Sequence, residues 1–292
     1  MNLLKRLTYH RGVRRAARWL GLDQILVPLY YLLAGPKGKV LRLEIGGIDG
    51  SFHVHTPQEL RMLESLGGEG SEEHILELFV NFLKPGDVVY DIGSNVGLYT
   101  VILAKAVGDD GWMIAFEPEP RFHDHLAQNV RLNGLTNVRC FNKALGDSSG
   151  EARFNLGSFS LARPSQGSEL GRQEVVVEVV EGDQLVASEH LPRPRAVKID
   201  VEGHEYAVLK GLSETLGDTS CELVCCEIHP SLLPPNIKPE MVLDLLTSFG
   251  FGRIDVHSRR ATYHAMCYRD FGIQEYAGAA SSTTQVELAE DP

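Results

Sequence analysis

The sequence has few cysteines and no long apolar run. Its 292 residues contain five cysteines, and three of them lie in the apolar segment Cys221–Cys226 without the paired spacing of a metal site. This usage argues against a secreted disulfide framework and favours a reducing cytoplasm. The apolar stretch Trp19–Ala34 has 16 residues and includes Asp23 and Pro28. It is too short for a transmembrane helix, which needs about 20 apolar residues.

Basic side chains are also in the minority. The chain has 28 lysines and arginines against 39 acidic residues, and its formal net charge is −11. This balance argues against a nucleic-acid partner, because a nucleic-acid-binding surface must neutralise phosphates. The apolar share of 43% and the charged share of 23% are average for globular proteins. Disorder and coiled coil are therefore excluded as descriptions of the whole chain.

The basic residues that are present are concentrated near the amino terminus. Residues 1–42 carry nine basic side chains and one acid, so the rest of the chain carries a net charge of −19. Between Leu3 and Leu20 the basic and apolar side chains alternate as in a basic amphipathic helix. Two interpretations stay open for residues 1–34: peripheral contact with an anionic membrane, at the inner face for a cytoplasmic protein, or a helix packed on the domain.

Short apolar strands and helices alternate along most of the chain. The runs Val40–Ile45 and Ser51–His55 flank a glycine-rich turn and predict a β-hairpin. Buried strands are predicted at Asp87–Gly93, Met113–Phe116, Val138–Phe141, Ala196–Asp200 and Leu223–Ile228. Helices are predicted at Ser71–Leu83, Leu98–Val107, Arg121–Asn133, Tyr206–Leu212 and Met241–Phe249. The pattern predicts an α/β fold with a doubly wound, mostly parallel sheet, closed by an antiparallel pair at Arg253–His257 and Tyr263–Tyr268.

The rhythm also suggests where the domain begins and ends. We expect an extension with the basic helix and the hairpin over residues 1–70, a main domain over 71–272 and a disordered tail over 273–292. An insertion over residues 150–186 interrupts the main domain. Its two candidate strands, Glu151–Leu156 and Glu174–Val180, flank a Ser/Gly-rich stretch, which is typical of a β-ribbon or of a mobile lid.

The first candidate site lies where the strand Asp87–Gly93 ends. In a doubly wound sheet, ligands bind beyond the carboxyl ends of the strands. Gly93 permits a tight turn there, and Gly97 permits close approach of the backbone at the start of the helix. The spacing, with Asn95 between the glycines, is not the G-x-G-x-x-G pattern of dinucleotide sites. Asp91 before the turn suits a ligand with an ammonium group, although an ordinary strand-to-helix loop stays possible.

Two further strand ends carry polar side chains. Glu117 follows the strand Met113–Phe116 and lies 20 residues after Gly97, where a carboxylate can accept hydrogen bonds from ribose hydroxyls. The alternative is a solvated loop acid. After the third strand, Asn142 and Asp147 are candidates for adenine contacts or for turn and cap roles.

The fourth and fifth strands supply candidates for acid–base chemistry. Alternation along a strand would place Lys198, Asp200 and Glu202 on one face. Glu227 and His229, at the end of the next strand, would lie beside them. A histidine near a carboxylate can act as a general base, so we expect Asp200, Glu202 and His229 to be catalytic. A divalent metal held by Asp200, Glu227 and His229 is a less favoured alternative, because the spacing is not diagnostic.

These motifs, taken together, resemble those of one enzyme family. The segments are DVVYDIGSNVGLYTV at Asp87–Val101, AFEP at Ala115–Pro118, KALGDSSG at Lys143–Gly150 and KIDVEGHE at Lys198–Glu205. They look like the successive motifs of FkbM-type methyltransferases, in the class I S-adenosylmethionine-dependent superfamily. The resemblance implies a seven-stranded Rossmann-like sheet with its last strand antiparallel. It also implies methyl transfer to a hydroxyl, often on a sugar or natural product, so the expected acceptor is a small molecule, a glycan or a lipid-linked glycan.

The resemblance also implies roles for individual residues. Asp91, Gly93, Asn95 and Gly97 would form the loop on the methionine side of S-adenosylmethionine. Glu117 would bind the ribose, and Asp200 would lie beside the reacting centre. The commonest superfamily pattern has a glycine where Asn95 stands. Two other functions stay open at this point: a nicotinamide-dependent oxidoreductase, and a non-catalytic or membrane-associated module that keeps the cofactor pocket.

Overall fold

The computed structural model describes residues 39–56, 59, 63, 66, 71–155, 174–259 and 261–269. The predictions for residues 1–34, for the tail over 273–292 and for the middle of the insertion lie outside these residues. In the part of the chain that the structure describes, no helix is both long enough and apolar enough to span a membrane.

The described residues contain twelve strands and seven helices. The strands are β1 (Lys39–Ile45), β2 (Ile48–Val54), β3 (Val88–Ile92), β4 (Trp112–Phe116), β5 (Val138–Phe141), β6 (Ala144–Gly146), β7 (Gly150–Asn155), β8 (Glu174–Glu181), β9 (Ala196–Ile199), β10 (Leu223–Ile228), β11 (Phe251–Arg259) and β12 (Thr262–Arg269). The helices are α1 (Glu72–Phe82), α2 (Leu98–Val107), α3 (Pro120–Leu132), α4 (Gly182–Ser188), α5 (Glu205–Gly211), α6 (Ser213–Gly217) and α7 (Pro239–Ser248).

The central sheet has seven strands in the order β11-β12-β10-β9-β3-β4-β5. The neighbours β10, β9, β3, β4 and β5 are parallel, whereas β12 runs antiparallel to both β10 and β11. The order reverses between β3 and β9, which makes this the topological switch point where ligands of doubly wound sheets bind. The predicted fold class is confirmed, including the antiparallel last strand.

Apolar cores cover both faces of this sheet. Val89 and Met113 face one core, which also contains the inner side chains of α1 and α2. Tyr90 and Phe116 face the other core, with side chains from α4 to α7. Because both faces are buried, the parallel strands are almost continuously apolar, and this pattern made them recognisable in the sequence.

The hairpin forms with a tighter turn than the sequence suggested. Gly46 has φ +58° and Gly47 has φ +79°, so these two residues alone make the connection, and β2 begins at Ile48 rather than Ser51. A two-residue hairpin turn of type I′ requires a positive φ at both of its central residues. Glycine reaches them without strain, and three residues assigned to the turn therefore join the strand.

Two asparagines at the carboxyl end of α3, Asn129 within it and Asn133 directly after it, attach the hairpin to the main domain. The Oδ1 atom of Asn133 accepts the backbone N–H of Ser51, and that of Asn129 accepts the N–H of His53, at 3.0 and 2.8 Å. The Asn129 Nδ2 donates to the carbonyl of Val96 at 2.8 Å. Asn129 is completely buried. The hairpin is thereby linked to the loop that follows β3.

The described strands of the insertion, β7 and β8, form a separate sheet with β6, which precedes the insertion; the order is β6-β8-β7. The antiparallel pairing of β7 with β8 confirms the β-ribbon interpretation for its described part. Two elements next to this ribbon were not anticipated. β6 has three residues and pairs in parallel with β8, while α4 has seven residues, and both are too short to show a periodic pattern.

Candidate active site

A cavity of about 350 Å³ opens at the carboxyl ends of β3, β4 and β9. Its volume is in the range of small-molecule sites. The chain segments around it are the loops after β3 and β4, the segment from Lys143 to Ser148, the ribbon and the loop after β9. The lining residues are Ile92, Gly93, Asn95, Phe116, Glu117, Pro118, Glu119, Phe122, Lys143, Ala144, Leu145, Gly146, Asp147, Ser148, Ala152, Val179, Asp200, Val201, Glu202, His204 and Ala207.

Gly93 allows the loop after β3 to pass close to the end of β9. A Cβ atom at this position would lie 1.9 Å from the carbonyl oxygen of Asp200, and the φ of +84° disfavours any other residue. The backbone N–H groups of Gly93 and Ser94 donate to the carbonyl of Phe116 at 2.9 and 3.0 Å. The loop is therefore fixed against both neighbouring strands, as the predicted tight turn requires.

Two residues of the cavity wall have a left-handed backbone although they are not glycine. Asn95 has φ +51° and Glu202 has φ +45°. Such conformations are uncommon for non-glycine residues, carry strain and are concentrated at functional sites. Asn95 offsets part of this cost, because its Oδ1 accepts the N–H of Val96 at 2.8 Å. Among the described residues, His190 has the one other positive φ outside glycine.

Gly97 acts behind the cavity rather than on its wall. It precedes α2 with φ +89°, and a Cβ atom there would lie 2.6 Å from the Leu126 side chain. The glycine is needed because α2 starts against α3. The role of Gly97 is therefore to let the start of α2 pack closely against α3.

Glu117 lies in the cavity wall with both carboxylate oxygens held by the backbone. Its Oε2 accepts the N–H of Asn95 at 2.8 Å, and its Oε1 accepts the N–H of Glu119 at 2.9 Å. Burial raises its pKa to about 7, although these two N–H groups oppose the shift. Each carboxylate oxygen can accept a further hydrogen bond from a ligand hydroxyl. This arrangement is the one that binding to a ribose would need.

The structure places Asp91 differently from the role expected of it. The side chain is completely buried and does not line the cavity. Its Oδ2 accepts the hydroxyl of Thr100 at 2.6 Å, and its Oδ1 lies 3.8 Å from the Lys198 Nζ. The cation beside Asp91 is therefore a lysine of this chain. The contact of Asp91 with the ammonium group of a ligand stays a prediction.

Asn142 and Asp147 have different positions. The Asn142 Nδ2 donates to the carbonyls of Glu117 and Pro118 at 2.9 and 3.0 Å, and Asn142 does not line the cavity. Its side chain supports the turn after β4. Asp147 does line the cavity, where its Oδ2 accepts a hydrogen bond from the Lys210 Nζ at 2.9 Å. Of the two, Asp147 is the one positioned to contact a ligand.

The buried Lys198 and the partly exposed Asp200 form an ion pair beside the cavity. The Lys198 Nζ lies 3.2 Å from the Asp200 Oδ2 and donates to the carbonyl of Gly93 at 3.4 Å. Burial lowers the pKa of Lys198, but Asp200 and Asp91 raise it by more, so the amine stays charged. The pair therefore connects the end of β9 to the glycine loop.

Glu202 lines the cavity because of a backbone turn that the sequence pattern did not predict. β9 ends at Ile199 instead of Asp200, so strand alternation does not extend to Glu202. The chain turns through Glu202 and Gly203, both with positive φ, and this turn brings Asp200 and Glu202 together to the cavity wall. Burial raises the pKa of Glu202 to about 7, and the charge of Asp200 adds to the shift.

His229 is close to this group but is not part of the cavity wall. Its Nδ1 lies 2.7 Å from the Glu205 Oε1, and its Nε2 lies 3.8 Å from the Asp200 Oδ1. Burial lowers the pKa of His229, but Glu205 and Asp200 reverse this and raise it to about 9. An imidazole with this pKa is protonated near pH 7. A protonated ring cannot take up the proton of an acceptor hydroxyl, so the charge of His229 favours a positioning role. The role of His229 as general base stays a prediction.

Sequence reasoning missed two residues next to Glu202. Glu205 is completely buried, and its Oε1 also accepts the N–H of Gly203 at 3.0 Å. His204 lines the cavity, its Nδ1 makes no hydrogen bond and burial lowers its pKa. Both belong to the motif KIDVEGHE, so their place in that motif was the available signal.

A second polar group was also missed. Glu72, Glu227 and His264 offer three atoms that lie within 4.8 Å of one another, and Asp200, Glu227 and His229 do the same. His264 is directly opposite Glu227 in the β10–β12 pairing. A histidine in the apolar strand β12 was the one sequence signal for this group.

Comparison with known proteins identifies the family. The model of the methyltransferase FkbM domain matches residues 91–253, which is more than half of the chain. The chain belongs to the FkbM methyltransferase family. Within that match lie the glycine loop, Glu117, the Asp200–Glu202 turn and His229. This FkbM protein is therefore an S-adenosylmethionine-dependent methyltransferase, and the oxidoreductase alternative is not supported.

Two named methyltransferases and one crystal structure are similar to this FkbM protein. It is 31% identical over 195 residues to the hexuronic acid methyltransferase AglP of Haloferax volcanii, an alignment that covers 66% of this chain and 76% of AglP. It is 28% identical over 187 residues to the methyltransferase sdnD of Sordaria araneosa, which covers 53% of this chain and 72% of sdnD. A crystal structure of methyltransferase FkbM from Methylobacillus flagellatus KT has 14% identity and a TM-score of 0.46, covering 64% of this chain and 44% of that one.

The cavity fits the cofactor of the FkbM methyltransferases. S-adenosylmethionine carries a positive sulfonium and an ammonium group, so it suits a wall with an excess of acids. The acids of the wall are Glu117, Glu119, Asp147, Asp200 and Glu202, against the single lysine Lys143. Apolar side chains such as Phe116 and Phe122 line another part of the same space. One cavity thus combines groups for a cation, for ribose hydroxyls and for an aromatic base.

Proposed function

We propose that this FkbM methyltransferase methylates a hydroxyl group of a sugar-containing acceptor, with Glu202 as the residue that takes the proton. The observation that carries the proposal is the turn after β9, which brings two carboxylates, Asp200 and Glu202, to the wall of the cavity. A hydroxyl is a poor nucleophile near neutral pH, and a general base that removes its proton in the transition state accelerates the reaction. The name of the relative AglP, a hexuronic acid methyltransferase, supports a sugar as the acceptor.

The cofactor would be held by the loop after β3 and by the end of β4. Glu117 would accept hydrogen bonds from the ribose hydroxyls, with Asn95 and Glu119 holding its carboxylate in place. Gly93 and Asn95 would line the methionine side of the site. S-adenosylmethionine, when bound, supplies an electrophilic methyl group on a positively charged sulfur. The protein then has to align the acceptor hydroxyl and remove its proton.

Glu202 is better suited than His229 to remove that proton. A general base works best when its pKa lies near the working pH, and the pKa of Glu202 is raised to about 7. His229, with a pKa raised to about 9, is mostly protonated at that pH and lies behind the wall. We therefore assign His229 to positioning, since its charge faces Asp200 while Glu205 holds the ring. His204 would provide a neutral hydrogen-bonding group for the acceptor.

The experiment compares the wild type with Glu202→Gln. Methyl transfer is followed with label from S-adenosylmethionine on a panel of aryl glycosides of neutral hexoses and hexuronic acids. Loss of a general base typically costs about 10²–10⁴-fold in rate. We expect at least a tenfold loss of turnover, with unchanged binding of S-adenosylhomocysteine by calorimetry. The matched control is Glu151→Gln, an exposed acid on the ribbon, which should keep full activity.

Two results would count against the proposal. Wild-type turnover by a folded Glu202→Gln enzyme would remove Glu202 as the base. Transfer of label to a nitrogen or carbon of an acceptor, with none on the hydroxyls of any glycoside, would remove hydroxyl methylation itself.

A further inference from the structure

A second buried polar cluster lies outside the cavity, at the point where α1, β10 and β12 meet. It consists of Glu72, Glu227 and His264, none of which lines the cavity. The side chains are 13%, 8% and 1% exposed, respectively. The proposed methyl transfer gives none of the three a direct role. The cluster therefore needs an explanation of its own.

Both carboxylates of the cluster are anchored through one oxygen by a hydroxyl group. The hydroxyl of Tyr99 donates to the Glu72 Oε2 at 2.6 Å, and that of Thr262 donates to the Glu227 Oε1 at 2.9 Å. The other oxygen of each carboxylate is the one nearest His264. Outer hydrogen bonds of this kind are what orients carboxylate ligands at metal sites.

His264 points its Nε2 between these two oxygens. Nε2 lies 3.1 Å from the Glu227 Oε2 and 3.7 Å from the Glu72 Oε1. Both contacts are within ion-pair distance, but neither ring nitrogen of this buried side chain has the alignment of a hydrogen bond. A simple ion pair would align an N–H with a carboxylate lone pair, because a buried polar group left without a hydrogen bond is costly. The Nε2 and the two oxygens thus converge on one point, where a metal cation can take the place of the ring proton.

We propose that Glu72, Glu227 and His264 bind one divalent transition-metal ion. The three candidate ligand atoms lie within 4.8 Å of one another. Ligands about 2.0–2.2 Å from a common ion are separated by roughly 3–3.5 Å. The Nε2 of His264 lies 3.1 Å from one carboxylate oxygen and 3.7 Å from the other, so small side-chain shifts would complete the set. One imidazole and two carboxylates are a donor set for ions such as Mn²⁺ or Zn²⁺, whereas Ca²⁺ and Mg²⁺ prefer oxygen alone. The two carboxylates would neutralise the ion's charge.

The neighbouring group around Asp200 is less suited to a metal. Asp200 already has a cation, since the Lys198 Nζ lies 3.2 Å from its Oδ2. Glu227 belongs to both groups, and its Oε2 faces His264. Glu72, the most exposed of the three proposed ligands, provides the way in for the ion. A metal at this point would join α1 and β12 to the end of β10.

The experiment measures metal binding and not activity, so it is independent of the proposed methyl transfer. The full chain, stripped with EDTA, is titrated with Mn²⁺ alone and with Zn²⁺ alone by calorimetry, and bound Mn²⁺ is counted by electron paramagnetic resonance. We expect one ion per chain and a raised melting temperature. Glu72→Gln and His264→Asn should each weaken binding at least tenfold. The controls are Glu73→Gln, the adjacent acid, and Asp200→Asn from the other group, and both should bind as the wild type does.

Three outcomes would overturn the inference. The wild type, folded and still binding S-adenosylhomocysteine, takes up neither Mn²⁺ nor Zn²⁺ at millimolar concentration. Alternatively, Glu72→Gln and His264→Asn bind the ion as tightly as the wild type. As a third outcome, Asp200→Asn abolishes binding while Glu72→Gln keeps it, which would assign the ion to the group around His229. Because Glu72 is partly exposed, Glu72→Gln tests the site even where His264→Asn does not fold.

Discussion

The imidazole of His229 is held by Glu205, whose Oε1 lies 2.7 Å from the ring Nδ1. Glu205 is completely buried and comes from the first turn of α5, whereas His229 follows β10. The pair therefore couples the end of β10 to the turn that carries Glu202. It also keeps a positive charge next to Asp200.

Glu205→Gln should lower the pKa of His229 from about 9 toward its ordinary value of 6.5. A raised histidine pKa stabilises the fold below pH 6.5, and this contribution is lost as the pH rises toward 9. The variant should therefore show a smaller loss of unfolding free energy between pH 6.5 and 9 than the wild type. Denaturant titrations across this range measure it, with NMR titration of the ring as the direct readout. A ring pKa that stays near 9 would show that Glu205 is not its main partner.

The rate of methyl transfer should increase with pH through about 7 and then level off. Glu202 accepts a proton only when ionised, and its pKa is raised to about 7. The rising limb of kcat/KM should disappear in Glu202→Gln, which keeps a low, flat rate. An unchanged limb in that variant would assign the titration to another group.

Glu117→Ala should weaken binding of S-adenosylhomocysteine by roughly tenfold or more, because hydrogen bonds to a charged group are worth about 1.5–3 kcal/mol. Isothermal calorimetry gives the affinity, and the exposed Glu240→Gln provides the control. Equal affinities for the wild type and Glu117→Ala would place the ribose elsewhere. The thermal stabilisation by the ligand should decrease in parallel.

Gly93→Ala should destabilise the protein and impair cofactor binding together. The added Cβ would lie 1.9 Å from the Asp200 carbonyl oxygen at a positive φ, so the loop after β3 has to move. Strain of this kind costs on the order of 1–3 kcal/mol. Gly217→Ala is the matched control, since a Cβ there meets nothing within 4 Å. Denaturation curves that coincide for both variants would contradict the close approach.

Deleting residues 1–34 should reduce sedimentation with vesicles of anionic lipid while leaving S-adenosylhomocysteine binding intact. The reason is the positive charge of this segment, which contrasts with the acidic remainder. Vesicles of neutral lipid are the control. Equal sedimentation of both proteins with anionic vesicles would favour the alternative in which the segment packs on the domain.

The order of strands and helices was predictable because the parallel strands are buried on both faces. The same rhythm placed Gly93 and Glu117 at strand ends, and both line the cavity. Side-chain contacts were less predictable. Asp91 contacts Thr100 of α2 and Lys198 of β9 instead of the cavity, and both contacts depend on how these elements pack against β3. Glu202 reaches the wall through a turn with positive φ, which strand alternation does not describe.

The polar cluster behind the cavity could not be predicted from spacing along the chain. Glu72 and His264 are almost two hundred residues apart, and they meet because α1 packs near the strand pair β10–β12. Such a contact depends on topology, which local patterns do not encode. The pairing of His264 with Glu227 becomes visible once the register of these two strands is known.

The hairpin β1–β2 lies outside residues 91–253, yet the buried amide of Asn129 depends on it. A shortened version of the enzyme that starts at residue 71 would leave the Asn129 Oδ1 without its backbone partner and would remove Phe52 from the core. The same amide holds the Val96 carbonyl in the loop beside the cavity. Substitutions in the hairpin therefore act, through Asn129, on the loop beside the cavity.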